Sequence, residues 1–412
     1  MENARAGVYV KQVGGYRAFL PSPLPPDPPL SMDNGMITAL SAADRALGRL
    51  DGATEVLPNP DLFIAMYVRR ESVLSSQIEG TQASLADVLE YEADAARKGL
   101  PAEIEEVVNH IGAMKYGLRR LDELPVSLRL IREIHERLMA NVRGGQMSPG
   151  EFRTTQNWIG PHGSTLNSAT YVPPPPHEMM GALDRLEAFL HTADHFPALI
   201  HAGLVHAQFE TIHPFLDGNG RIGRLLTTFL LCQRRVLRQP LLYLSHHFKL
   251  HQNEYYDHLT AIRETGDWEG WIKFFLVGVA NVANQATDTA REILRLRESH
   301  RLLLSDRIQT NNALRLLDYL YEQPMVTVSL AAKALTVSVP TANSLVGQFC
   351  ETGLLTEISG GRRNRIFSYQ PYLHLFEDQA LDEALQEEPG SKRDAVTIEA
   401  DPAEAPTEFD NV

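Results

Sequence analysis

Twelve consecutive residues, His213-Pro214-Phe215-Leu216-Asp217-Gly218-Asn219-Gly220-Arg221-Ile222-Gly223-Arg224, gather the side chains best suited to phosphate chemistry. An apolar-periodic stretch, 199–212, precedes them and another, 221–232, overlaps and follows, so the segment reads as a glycine-rich loop entering a helix. A helix N-terminus leaves backbone N–H groups unpaired and carries the positive end of the helix dipole, which suits an anion. Gly218 and Gly220 let the main chain approach a ligand without a side chain in the way. Asn219 offers both a donor and an acceptor. Arg221 and Arg224, three apart, can both project from the first helical turn toward one phosphate chain. Asp217 suits Mg²⁺, which takes oxygen ligands and keeps phosphates as co-ligands. His213 is a candidate base within reach of the same place. A histidine before proline is more often structural, and an Asp-Gly pair is usually a turn; together at these spacings the residues signal nucleotide chemistry.

The elements that must position this loop are helices. From about Met32 to Ser305 apolar residues recur at three- and four-residue spacing, predicting helices near 84–97, 104–121, 126–141, 178–193, 196–212, 220–234, 252–264 and 268–300, besides one over Asn59–Gly80. In that helix Asn59 is placed to cap the start, Pro60 to occupy the first turn, and Gly80 to supply a left-handed stop. Leu62, Met66, Val73 and Ile78 lie on its apolar face. Residues 1–30, rich in proline, read as an extended arm packed on the body. Gly150–Pro176 breaks the helical rhythm. Phe152, Trp158, Ile159, Tyr171 and Val172 flank a Gly-Pro-His-Gly turn at 160–163, and the segment closes on four prolines, which predicts a β-hairpin or extended flap with a binding role.

Beyond Ser305 the pattern changes to helices over Leu314–Glu322, Leu330–Leu335 and Pro340–Thr352. Strand-like runs follow at Leu354–Ile358 and Ile366–Tyr369, separated by a basic turn. Three helices and a hairpin in so short a span predict a winged helix over 305–375. Its candidate recognition helix, Pro340–Cys350, carries no Lys or Arg, and Arg362, Arg363 and Arg365 sit on the wing alone, so protein docking or dimerisation is favoured over DNA binding.

The net charge of −14 is mostly a tail property. Twelve Asp or Glu and two Lys or Arg lie from Glu377 onward, a net of −10, and the tail over 385–412 reads as disordered. Cys232 and Cys350 have no partners at metal-ligand spacing and read as reduced thiols. His201, His206 and His213 share no helix face and no His-Glu-x-x-His occurs, which argues against a metallohydrolase. With no secretory pattern and no apolar run of membrane length, a cytoplasmic protein is the expectation.

The segment His213–Arg224 resembles the active-site motif of the Fic family, His-Pro-Phe-x-Asp/Glu-Gly-Asn-Gly/Lys-Arg-x-x-Arg, and every specified position matches. The resemblance covers residues 15–300. It implies a mainly α protein: a Fic-associated region with inhibitory helix over 1–110, an all-helical Fic core with a β-hairpin flap over 111–300, and the winged helix as a C-terminal companion. It implies transfer of AMP from ATP to a Ser, Thr or Tyr hydroxyl of a target protein, the chain itself included, with the target docked at flap 150–176 and with a homodimer as one assembly. In that scheme His213 is the base, Mg²⁺ (or Mn²⁺) sits on Asp217, and Gly218, Asn219, Gly220, Arg221 and Arg224 hold the phosphates. One of Tyr255 and Tyr256 lies near adenine. A second motif, Ser75-Ser76-Gln77-Ile78-Glu79-Gly80, resembles the family's inhibitory motif, in which Glu79 takes Arg224 from the γ-phosphate. The alternatives are phosphate or other nucleotide transfer, AMP removal, or a DNA-binding regulator; a kinase relative carries Ala and Lys where this chain has Gly218 and Gly220.

Overall fold

The computed structural model describes residues 5–55, 60–93, 101–140, 148–161, 163–192, 196–361 and 364–377, and the structural statements below concern these. Asn59, His162, Arg362, Arg363 and the tail over 385–412 lie outside them, as does the side chain of Leu62.

The molecule is mainly α. The chain opens on an antiparallel pair, β1 (Gly7–Lys11) and β2 (Arg17–Pro21), in register from Gly7 opposite Pro21 to Lys11 opposite Arg17. Residues 7–21 of the extended arm expected here therefore form a hairpin, and 22–33 hold neither helix nor strand. Val8, Val10 and the Gly14-Gly15 turn are the hairpin's sequence signal, masked by the prolines that follow.

Eleven helices follow: α1 (Asn34–Glu55), α2 (Pro60–Ile78), α3 (Leu85–Ala93), α4 (Ala102–Arg120), α5 (Leu128–Leu138), α6 (Pro176–Leu190), α7 (Ala198–Ile212), α8 (Asn219–Gln233), α9 (Ser245–Leu250), α10 (Gln252–Thr265) and α11 (Trp268–Arg307). Helix α11 runs forty residues, past the expected end at 300, capped at its start by Asp267, whose side chain accepts from Gly270 N. Helix α1 packs along it. Helix α9 was not expected; six residues are too few to show a period.

Helix α7 explains where the core sits. Every residue from Leu199 to Ile212 is buried, so it is a central helix rather than an amphipathic surface one. Helix α8 packs antiparallel against it and is nearly as buried. Trp271, Phe248, Phe275 and Phe209 fill the surrounding core.

The flap is extended with one antiparallel bridge, Ile159 to Tyr171, rather than a regular hairpin. Phe19 N donates to Val172 O at 2.9 Å, so β2 pairs with the outgoing limb of the flap. Ala18, Trp158 and Val172 make a small apolar cluster beneath it.

The C-terminal unit comprises α12 (Asn311–Glu322), β3 (Met325–Thr327), α13 (Val328–Leu335), α14 (Val339–Glu351), β4 (Thr356–Glu357) and β5 (Ile366–Ser368). Its antiparallel sheet has the order β3-β5-β4. Strand β3 was missed because three residues between two helices carry no period. Thr310, Thr327 and Ser338 cap its three helices, each accepting from a backbone N–H three residues on.

Candidate active site

The site is built where α7 ends. Ile212 is followed by His213, whose backbone is left-handed at φ 51 and ψ 61. Pro214 disfavours helical geometry in the residue before it, and the left-handed turn costs roughly 1–2 kcal/mol. Surrounding hydrogen bonds hold it. Arg153 donates from Nε to His213 O at 3.0 Å, Arg153 N donates to Pro214 O at 2.9 Å, and Asn157 Nδ2 donates to Phe215 O at 2.9 Å. Phe215 stacks on His135 with ring centroids 3.7 Å apart. His135 accepts from Gly150 N at Nδ1, which leaves Nε2–H to donate to Asp217 O at 3.0 Å.

Asn219 has a different task from the one its position suggested. Its Oδ1 accepts from Phe215 N and its Nδ2 donates to Phe215 O, both at 2.8 Å. Both ends of the amide brace the loop. Gly218, at φ 78, opens α8 with no side-chain cap, so the first N–H groups of α8 face the adjoining space.

That space is a cavity of about 390 Å³, within the usual range for small-molecule sites. Asp217, Gly218, Asn219, Gly220 and Arg224 line it from the loop and α8; His213, Glu210 and Thr211 from the end of α7; Tyr255, Tyr256, Leu259, Thr260 and Arg263 from α10; and Ile159, Gly160, Pro161, Thr170 and Tyr171 from the flap. Glu79 enters from the end of α2.

His213 is 4% exposed. Its Nδ1 lies 3.3 Å from Glu210 O, and its Nε2 has no hydrogen-bond partner among the described residues. Nδ1 therefore carries the proton and Nε2 presents a free lone pair. Burial, with Arg153 nearby, pushes the imidazole down to about 4, so it is neutral at pH 7.

Arg224 is held by Ser75 and Glu79 of the second motif. Nε donates to Ser75 Oγ at 2.9 Å, and Nη2 donates to Ser75 O at 2.9 Å and to Glu79 Oε1 at 2.6 Å. Burial pushes the Glu79 carboxyl up, but the Arg224 guanidinium more than offsets this and holds it below its usual value. Glu79 Oε1 would lie 2.2 Å from a Cβ at Gly220, so only glycine there admits the carboxylate. Gly80, at φ 100, ends the motif.

The expectation that Arg221 and Arg224 converge is corrected by the geometry. Arg221 does not line the cavity. It is buried on the other side of α8, with Nη2 3.5 Å from Asp217 Oδ1 and 3.7 Å from Met139 Sδ, and Nη1 3.8 Å from Glu106. Three residues along a helix is a rotation of about 60°, enough to divide two guanidinium groups when a carboxylate attracts one of them. Tyr255 and Tyr256 both border the cavity. Tyr255 is buried with its hydroxyl 2.9 Å from His206 Nε2, and Tyr256 is more exposed. His206 Nδ1 also meets Gly223 O at 3.0 Å, and His201 Nε2 meets Phe189 O at 3.1 Å.

Sequence reasoning missed Arg153, Asn157, Glu210 and Arg263. Glu210 is 9% exposed, its Oε1 has no partner among the described residues, and burial raises its carboxyl to about 7. It packs over Gly223, where a Cβ would lie 2.3 Å from Oε1. The guanidinium of Arg263 lies 3.9 Å from the Tyr171 ring centroid. Glu210, three residues before His213 on a helix face, was the one with a readable signal. Asp217 Oδ1 accepts from Gly218 N, and the carboxylate is 37% exposed at the cavity edge. An accessible carboxylate beside an anion cradle fits a Mg²⁺ whose other ligands are phosphate oxygens and water.

Helical fold, uncapped helix terminus, guanidinium and neutral imidazole around one cavity define a protein built to bind an anionic ligand and accept a proton beside it. Residues 37–119 match the Fic/DOC family N-terminal region and residues 125–231 the Fic/DOC family itself, so the chain carries a Fic domain preceded by its N-terminal region. It is similar to the protein adenylyltransferase Fic of Culex quinquefasciatus, at 32% identity over 206 residues. It is also similar to that of Aedes aegypti, at 32% over 204 residues. In each case the match covers 48% of this chain and 37% of the relative's length. Among solved structures it resembles a Fic family protein from Desulfovibrio desulfuricans G20 with a TM-score of 0.52 at 20% identity, over 83% of this chain and 97% of that one, a likeness of fold.

Proposed function

We propose that the protein transfers AMP from ATP to a Ser, Thr or Tyr hydroxyl of a target protein, itself included, and that Glu79 restrains the reaction. The observation that carries this reading is the pairing of a neutral His213, which lines the cavity and whose Nε2 has no partner among the described residues, with Arg224 held by Glu79 in the same cavity. The names of the relatives support it.

His213 Nε2 takes the hydroxyl proton as the target oxygen attacks the α-phosphate in line. The oxygen–phosphorus bond forms, the bond to the β-phosphate bridging oxygen breaks, and pyrophosphate leaves. The N–H groups at the start of α8 and the Arg224 guanidinium stabilise the phosphate oxygens, the usual main contribution in such transfers. Asp217 would hold Mg²⁺ (or Mn²⁺), which supplies neutralising charge at the phosphates. Bound phosphate raises the affinity of His213 for its proton, because a nearby anion favours the charged imidazole. Tyr256 and the α10 face are left for the nucleoside.

Glu79 and the γ-phosphate compete for one guanidinium, so a closed Glu79 prevents productive placement of the triphosphate. The flap residues Ile159–Pro161 and Thr170–Tyr171 border the cavity, where an extended target segment would dock. The helix order and three-stranded sheet of 311–368 support the winged-helix reading. Of its exposed α14 residues, Val339, Pro340, Thr341, Asn343, Ser344 and Gln348 are uncharged and Glu351 is acidic, which favours a protein partner or a second copy over duplex DNA.

Labelled ATP tests the reaction type. Label from the α-phosphate retained on protein, with none from the γ-phosphate, is the expected result; the reverse pattern makes this a phosphate transferase and removes the reading.

A further inference from the structure

Helix α2 carries Glu79 at one end, and its other polar residues show what holds it. Residues Met66 to Ser76 are all buried, two arginines and a glutamate among them. Ser72 Oγ lies 2.8 Å from His110 Nδ1 on α4. Glu71 binds the N-terminus of α9 through Ser245, and Ser75 holds Arg224 on α8. These anchors reach α4, α9 and α8, of which α8 lines the cavity.

Arg69 points elsewhere. Its Nε donates to Glu92 Oε2 at 2.8 Å, its Nη1 to Glu322 O at 3.1 Å and its Nη2 to Gln323 Oε1 at 3.2 Å. Glu322 is the last residue of α12, so the guanidinium sits on the negative end of that helix. Two residues earlier, Tyr67 packs edge-on against Phe376 at 5.7 Å between ring centroids. The C-terminal unit is therefore one wall of the slot that holds α2. Like α4 and α9, and unlike α8, it gives no residue to the lining of the cavity. A shift of α8 would dismantle the site. A shift of the C-terminal unit would not.

We propose that residues 311–376 control the brake: through Arg69, Glu322 and Gln323 they hold α2, and with it Glu79, in the closed position, so that whatever displaces this unit frees the transferase. Arg69 sits midway along α2 and Glu79 directly follows its last residue, Ile78, ten residues and about 15 Å further on, so loosening the contacts at Arg69 shifts Glu79 with the helix. Arg69 is thus a positioning residue that acts through Glu79. The inference rests on Glu79 being the brake.

The test uses the full chain and two substitutions, each made in the wild type and in Glu79→Gly. Gln323→Met keeps the volume and removes one acceptor; Arg69→Ala removes the whole fork, and Gln323→Met stands alone if Arg69→Ala does not fold. AMP incorporation from α-labelled ATP is read beside the thermal midpoint. Both substitutions are expected to raise incorporation several-fold in the wild type and to leave it unchanged in Glu79→Gly, which has no brake to hold. An equal change in both backgrounds, or no change in the folded wild-type variants while Glu79→Gly is active, overturns the latch and leaves the brake standing. If Glu79→Gly is itself no more active than wild type, the brake fails and the latch falls with it.

Discussion

His213 combines two properties that oppose each other. Its burial keeps the imidazole neutral and its lone pair free, yet a base with its pKa near 4 has weak proton affinity until phosphate arrives. The protonated form is inactive, so kcat/KM should fall only as pH drops through the free-enzyme value. In the unbraked Glu79→Gly protein, where the carboxylate that raises His213 is gone, the acid limb is expected well below pH 6. A limb at 6.5 or above would show an exposed, ordinary imidazole. The arginines behave differently from each other for a related reason: Arg224 faces the cavity with Ser75 and Glu79, whereas Arg221 is drawn toward Glu106 and Asp217. Arg224→Ala in the Glu79→Gly background should therefore reduce incorporation at least tenfold at subsaturating ATP, and Arg221→Ala should act mainly on the thermal midpoint. Equal catalytic losses would place both guanidinium groups on the nucleotide.

At the scale of elements, the loop is rigid because the flap braces it. Arg153 also donates from Nη2 to Pro174 O at 2.5 Å, so one side chain ties the catalytic turn to the outgoing flap limb. Arg153→Ala leaves several buried carbonyls unpaired and should cost about 2–4 kcal/mol of stability. In Glu79→Gly it should lower kcat more than it raises the KM for ATP, because it misplaces His213 rather than the phosphate cradle. A pure KM effect would contradict that role. This bracing was not legible in the sequence. The chemistry of His213, Asp217, Gly218, Gly220 and Arg224 lies within twelve residues and could be read locally, and α7, α8 and α10 follow from long apolar periods. Arg153 and Asn157 lie sixty residues away in a segment with no period, and their meaning comes from which carbonyls they meet. Asn219 was legible as a residue of the cavity, but spacing could not show that its side-chain amide braces its own loop.

Across the whole molecule, the unusual feature is the number of buried titratable groups. Burial lowers His110 and His206 to about 3 and His135, His213 and His247 to about 4. These five are neutral in the fold and charged in the unfolded chain below about pH 6.5. Glu71 and Glu210, raised to about 7, act oppositely, because the folded state binds their protons first. Five outweigh two, so between about pH 6.5 and 4.5 the unfolded state binds more protons and stability falls on acidification, at up to about 1.4 kcal/mol per pH unit for each net proton. The thermal midpoint is expected to drop steadily from pH 7 to 5; a flat or rising midpoint would show that these histidines are not buried neutral. Among the described residues no helix is long and apolar enough to cross a membrane. The covering of α2 by the C-terminal unit belongs to this scale as well: the sequence marks that unit as separate, and only the assembled chain brings it against the helix that ends in Glu79.

The central claim joins a reaction, a base and a brake, and one measurement reaches all three. Wild-type, Glu79→Gly and His213→Ala proteins are incubated with Mg²⁺ and ATP and their intact masses recorded, alone and with lysate protein. The account predicts an AMP-sized gain that is largest in Glu79→Gly, small in wild type and absent in His213→Ala. A gain in His213→Ala equal to that of the wild type, or no gain in Glu79→Gly on any protein, would contradict it.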